Sequence, residues 1–236
     1  MIRHVETIDS TSRYMMDHPE WFNNLDILSA DHQTNGIGRT GHSWIDNNAE
    51  NILFSIIIKD PNIINSYKQL SIAMGVIILN FLKSYISEDN ISLKWPNDVY
   101  VNGKKICGIL LQGRLPNYVV IGVGFNVNQL SFETIKHPAT SLSLETDRKY
   151  DLDSIRDKLC NFVVGELKNF SNIKSFCIEE FNNHNYLKNK EISYFNSVSG
   201  IEEEGVALDI NDNGELLVSK GEKIISLSAS EVNTIR

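Results

Sequence analysis

The chain has 236 residues, 42% of them apolar, with a formal net charge of -8 and a pI of about 5.3. That length and apolar content suit one full α/β domain with a small appendage. The acidic balance opposes nucleic acid and anionic membrane surfaces, so any anionic ligand has to be held by a local cluster of positive groups.

Three cysteines, at positions 107, 160 and 177, show neither CxxC spacing nor an even count. This argues against a disulfide framework or a zinc site and for a reducing compartment, with the cytoplasm as the expectation. Arg3, Glu6 and Asp9 interrupt the first ten residues, so no apolar signal region is expected there. The longest apolar run, Ile72 to Leu79, is too short to span a bilayer.

In chain order, Ile2 to Ile8 reads as a strand, and Asp9-Ser10-Thr11-Ser12 is a cluster of good N-caps opening a short helix. Leu25 to Ala30 alternates as a strand and leads into a glycine-bearing loop, Gln33 to Trp44. Asn51 to Ile58 is a strongly apolar strand. From Ser66 to Ile86, apolar residues at three- and four-residue spacing predict a core-facing helix. Ile91 to Trp95 and Val99 to Val101 predict strands around a Pro-Asn-Asp turn, and Asn102-Gly103 is a hairpin signal leading into Ile106 to Gln112. Tyr118 to Val127 supplies a further buried strand. Asp151 is a plausible N-cap for a second amphipathic helix through Leu167, and a weaker third lies near Phe176 to Tyr186. Beyond residue 187 the period changes to two, with strand-like runs near 190–195, 202–210, 214–219 and 223–229 separated by glycine turns. The division expected is a domain over residues 1–187 and a small β module over 188–236.

Gly36-Ile37-Gly38-Arg39-Thr40-Gly41 satisfies the GxGxxG spacing after a strand. The dinucleotide fingerprint also needs a helix opening on its last glycine, whereas His42 to Asn51 is short, polar and without helical periodicity. A plain surface loop is the simpler reading, but Arg39 sets bare backbone amides beside a five-donor guanidinium that can wrap a phosphate or carboxylate. Lys94 alone reads as a snorkelling strand residue, and Lys104 and Lys105 as a charged hairpin end. Together, the arginine loop and a strand lysine before the rigid Pro96-Asn97-Asp98 turn make a two-sided anion clamp. Gly122 and Gly124 in one strand predict close approach of a ligand or of another backbone, and the purine of a nucleotide would fit there. The six histidines, at 4, 18, 32, 42, 137 and 184, show no metal-site spacing.

The blocks G-I-G-R-T-G-H-S-W (36–44), K-W-P-N-D (94–98), K-I-C-G-I-L (105–110) and G-V-G-F-N (122–126), with the opening I-D-S-T (8–11), resemble biotin protein ligases. The resemblance covers nearly the whole chain in the right order. It implies an α+β fold, with a mixed β-sheet and helices packed on one side, followed by a small C-terminal SH3-like β-barrel. The implied activity uses ATP and Mg2+ to adenylate the biotin carboxylate. Biotin is then passed to one lysine of the biotin carboxyl carrier domain of a carboxylase.

By position in the motifs, Ser10, Thr11, Ser12, Gln33, Gly36, Gly38, Arg39, Lys94 and Gly108 resemble the biotin-binding residues. Arg39, Trp44, Lys94 and Asn126 resemble the contacts to ATP and the adenylate. Lys94 and Arg39 are the implied catalytic cations. The chain departs from the commoner G-R-G-R loop by placing Ile37 at the first arginine, which removes one positive charge. The expectation is a ligase without nucleic-acid or membrane partners, with either a monomer or a homodimer compatible with the residues. Two rivals stand beside it, a lipoate or octanoate ligase or transferase and a non-catalytic biotin-binding module.

Overall fold

The computed structural model describes residues 1–44, 49–132 and 137–235. The stretch 45–48, within the segment read above as polar and non-helical, lies outside the described residues.

The first sheet takes in β1 (Ile2–Ile8), β2 (Ile27–Gln33), β3 (Asn51–Ile58), β4 (Ile91–Lys94), β5 (Asp98–Val101), β6 (Lys104–Arg114) and β7 (Tyr118–Asn126). Its order is β1-β2-β3-β7-β6-β5-β4, with β1 and β2 parallel and every other pair antiparallel. The β5–β6 turn has Asn102 and Gly103 at φ 49 and 74, the two left-handed positions that an Asn-Gly hairpin accepts readily. β3 lies between β2 and β7 and is buried along its whole length, which explains its unbroken apolar run.

The helices are α1 (Thr11–Asp17), α2 (Pro61–Ile64), α3 (Tyr67–Leu82), α4 (Leu142–Thr146), α5 (Leu152–Lys168) and α6 (Phe170–Asn183). The long ones share one face of the sheet. Ile52, Phe54, Ile56 and Ile58 of β3 join the main core with residues of α3, α5 and α6. The pleat sends Ile57 to the opposite face, where it packs in a separate cluster with Met15 and Phe22. Short α1 therefore lies across the other face.

The second sheet contains β8 (Glu191–Asn196), β9 (Ile201–Ile210), β10 (Leu216–Lys220), β11 (Lys223–Leu227) and β12 (Val232–Ile235), all antiparallel in the order β11-β10-β9-β8-β12. Its Tyr194, Ala207, Leu216 and Val218 bury into the same core as the first sheet. The two are also hooked together through hydrogen bonds. Trp95 Nε1 donates to Gly214 O at 3.0 Å, and Gln69 Nε2 donates to Asp212 O at 2.5 Å. Gly214 stands at φ +75, and a Cβ there would come within 3.3 Å of Ile72 and of the Lys68 carbonyl. Glycine thus meets both the dihedral and the space that this contact requires.

Candidate active site

Ser10 caps α1, its Oγ accepting from Arg13 N at 3.4 Å and lying 3.2 Å from Ser12 Oγ. Ser10, Thr11 and Ser12 are all buried, so the N-terminus of α1 is a polar patch inside the protein. Gln33, at the end of β2, accepts at Oε1 from Thr11 N (2.7 Å) and from Thr11 Oγ1 (3.1 Å). Because the single Thr11 hydroxyl proton goes to Gln33, the 2.8 Å contact with Ser55 has Ser55 Oγ as its donor. Both Gln33 bonds use its carbonyl oxygen, so Thr11 leaves the two amide N–H donors unengaged. The sequence reading missed Ser55, a hydroxyl hidden inside the apolar run of β3.

On the next strands the glycines have a defined job. A Cβ at Gly124 would stand 2.3 Å from the Trp44 indole, and one at Gly108 would stand 2.8 Å from it. Gly122 faces Ser12 and Ser55 instead, at 3.5 and 3.6 Å. In place of the ligand or backbone expected at Gly122 and Gly124, the near neighbours are side chains, the Trp44 indole at Gly124 and Ser12 and Ser55 at Gly122. The Trp44 Nε1–H is buried and finds no acceptor among the described residues. A Cβ at Gly36 would come 2.8 Å from Trp44 O and one at Gly38 3.2 Å from His42 O, so both lie against the returning limb of the loop.

Lys94 ends β4, opposite Asp98 across the turn. Its Nζ lies 5.5 Å from the centre of the Tyr100 ring. Burial pushes the Lys94 pKa down, Asp98 pulls it back up, and Lys105 and Lys190 push it down again. Asp98 is bonded to Lys105, with Nζ 2.7 Å from Oδ1, and Lys105 Nζ is 5.6 Å from the centre of the Trp44 ring. Lys105, which sequence alone left as a charged hairpin end, thus joins Lys94 and Asp98 in one charged cluster. Lys190 is a further positive neighbour that no motif marked.

The GxGxxG segment does not open an α-helix. Arg39–Gly41 forms a single 3-10 turn with Thr40 and Gly41 in the left-handed region. The Arg39 side chain reaches the second sheet, Nη2 donating to Ala229 O (2.7 Å) and Val232 O (2.9 Å), while Nη1 is 3.4 Å from Asn97 Oδ1. Burial pushes the Arg39 pKa down and Asp98 raises it. Asn97, in the turn of K-W-P-N-D, donates through Nδ2 to Ile109 O at 2.7 Å, which ties the turn to β6. Asn126, at the end of β7, is buried and donates to Thr140 O at 3.0 Å. The structure therefore gathers Lys94, Lys105, Asp98, Asn97 and Arg39 at one end of the sheet, and Ser10, Thr11, Ser12, Gln33 and Ser55 beside α1. The Trp44 indole lies over Gly108 and Gly124 on the strands between.

A family model described as "Biotin/lipoate A/B protein ligase family" matches residues 5–126. This chain belongs to that family. Within the Biotin/lipoate A/B protein ligase family, it is 29% identical over 213 residues to the biotin--[acetyl-CoA-carboxylase] ligase of Mycobacterium tuberculosis, covering 89% of this chain and 79% of that one. It is 24% identical over 163 residues to the bifunctional ligase/repressor BirA of Escherichia coli, covering 68% of this chain and half of that protein. The structure of the Aquifex aeolicus biotin protein ligase in complex with biotin and ATP superimposes with a TM-score of 0.80 at 24% identity, over 100% of this chain and 98% of that one. That likeness carries the fold, including the second sheet.

Proposed function

We infer that this protein is an ATP-dependent biotin protein ligase. The observation that carries the reading is the pairing of a polar cluster, Thr11–Gln33–Ser55, with a cationic cluster built from Lys94 and Lys105 on the first sheet and Arg39 on the loop beside it. The Gln33 carbonyl oxygen is taken by Thr11, so its amide N–H donors are what this cluster offers to a ureido oxygen, and the cationic end receives the carboxylate and the α-phosphate.

In the first step a biotin carboxylate oxygen attacks the α-phosphorus of ATP, pyrophosphate leaves, and a mixed anhydride forms. Two anions are forced together, so the partly desolvated Lys94 ammonium and the Arg39 guanidinium lower the barrier more than they would in water. In the second step the neutral amine of an acceptor lysine attacks the carbonyl carbon and AMP leaves. The loop bearing Gly36, Gly38, Arg39 and Trp44 covers the anhydride against water until the amine arrives. Ser10, Ser12 and Gly108 complete the biotin side, and Trp44 and Asn126 contact the nucleotide side.

Mg2+ accompanies the nucleotide. Asp98 is a carboxylate at this end of the site and would have to give up Lys105, 2.7 Å from its Oδ1, to hold that ion. Among the described residues, another set of possible ligands, Glu88, Glu180 and His184, lies around Lys83, whose Nζ is bonded to both carboxylates at 2.7 and 2.8 Å. A cation already fills that position.

The acceptor in this reading is a lysine on the biotin carboxyl carrier domain of a carboxylase. Cys107, Cys160 and Cys177 are all free and buried, which supports a reducing, cytoplasmic setting. No helix among the described residues is long and apolar enough to cross a membrane. The test is transfer of labelled biotin to a carrier domain in the presence of ATP and Mg2+. Transfer of lipoate in its place would favour the lipoate rival.

A further inference from the structure

We propose that the second sheet is a latch for the Arg39 loop, and that Trp95 is the positioning residue that sets it. The inference rests on the reading of Arg39 as an anion-holding arginine.

A guanidinium has five N–H donors and two edges that can grip a carboxylate or phosphate with two parallel bonds. One edge pairs Nε with Nη2 and the other pairs Nη1 with Nη2, so both depend on Nη2. In this protein both Nη2 hydrogens are taken, by the carbonyls of Ala229 at 2.7 Å and Val232 at 2.9 Å. Arg39 therefore cannot hold an anion with two bonds while latched. To do so it has to give up at least one of these carbonyls. The carbonyls and the anion compete for the same donors, and the loop has two positions, docked on the second sheet or turned to the ligand.

The position of those carbonyls depends on how the second sheet is seated. Near its other end it is pinned by Trp95 Nε1 on Gly214 O and by Gln69 Nε2 on Asp212 O. Trp95 is buried, and its neighbours in sequence do the chemistry and the bracing. Lys94 is the lysine of the cationic cluster, and Asn97 touches Arg39 Nη1 while holding Ile109 O. The K-W-P-N-D segment thus holds both partners of the latch in one frame, the sheet through Trp95 and the arginine through Asn97. This gives the tryptophan of that segment a task that neither its burial nor the anion chemistry requires.

The test is hydrogen exchange on the ligand-free full chain, which makes the outcome independent of which acid the enzyme activates. The reporters are the amides of Gly38, His42 and Trp44, bonded within the loop to His42 O, Arg39 O and Gly36 O. Trp95→Phe keeps an aromatic ring in the core, smaller than the indole, and removes one donor. It is expected to speed loop exchange about threefold to tenfold, the range of one or two net hydrogen bonds, while amides of β3 and β7 stay as protected as before. Arg39→Met is expected to do the same, and the double variant to exchange no faster than Arg39→Met alone. Gln69→Ala, which loosens the same seat from α3 without touching β4, is expected to move the loop in the same direction and covers the case in which Trp95→Phe disturbs the whole fold. Loop exchange unchanged in both seat variants, or effects of Trp95→Phe and Arg39→Met that simply multiply, would overturn the latch.

Discussion

The Trp44 indole lies directly over Gly124, so close that a Cβ added to that glycine would stand 2.3 Å from the ring. Real Cβ contacts are not that short, and Gly124→Ala must therefore push the indole and its loop away from the strand. We expect this variant to fold, because the clash falls on a loop side chain and not on backbone. Its KM for ATP should rise at least about tenfold, the effect of about 1.4 kcal/mol. Steady-state kinetics checks this, and an unchanged KM would remove Trp44 from the nucleotide side.

Lys94→Ala should reduce biotin-dependent adenylation by roughly a hundredfold or more, the usual loss on removing one group that stabilises developing charge. Its thermal midpoint should hold or rise, because burial disfavours the Lys94 charge in the ligand-free protein. Pyrophosphate release together with a thermal melt separates the two effects. Near-normal activity would mean that another cation meets the carboxylate.

The same lowered pKa sets a pH dependence. Lys94 titrates below its unfolded value of about 10.4, so as pH rises the folded, ligand-free protein loses this proton before an ordinary lysine would. The unfavourable charge is present at pH below the folded pKa and disappears above it, while anion binding needs the charged form. The alkaline limb of kcat/KM for ATP, which reports the free enzyme, should therefore lie below the ordinary lysine range. Lys94→Arg should move it to higher pH at reduced rate. A limb that Lys94→Arg does not shift would assign it to another group.

Gln33→Leu removes the acceptor of both Thr11 bonds and leaves a buried backbone N–H unpaired. Loss of such a partner costs about 1–3 kcal/mol of stability, and because the Gln33 amide donors go with it we expect biotin affinity to fall about tenfold or more with the ATP affinity little changed. Calorimetric titration with each ligand checks the split. Equal losses for both would point to a general disturbance of α1.

Much of this arrangement can be read from the chain. The eight-residue apolar run of β3, the helical spacing of α3 and the Asn102-Gly103 hairpin each carry a local signal strong enough to survive tertiary context. Lys94 and the glycines of β7 were legible because a charge or a missing side chain inside a strand needs a reason. What stayed hidden depended on partners far away in sequence. β12 is only four residues long, and its partner, β8, lies some way back along the chain, so no period marks it. The acceptors of Arg39 are backbone carbonyls, which every residue has and no sequence pattern reveals. Ser55 looks like a defect in an apolar strand until Thr11 is placed above it, and Lys190 looks like a linker charge until the fold brings it within electrostatic reach of Lys94.

The most direct test of the central claim is release of pyrophosphate from ATP and Mg2+ with either biotin or lipoate, run with and without a biotin carboxyl carrier domain. A biotin protein ligase gives biotin-dependent release, none above background with lipoate, and label transferred to one carrier lysine. Release with lipoate alone, or biotin binding without any release, would contradict that claim.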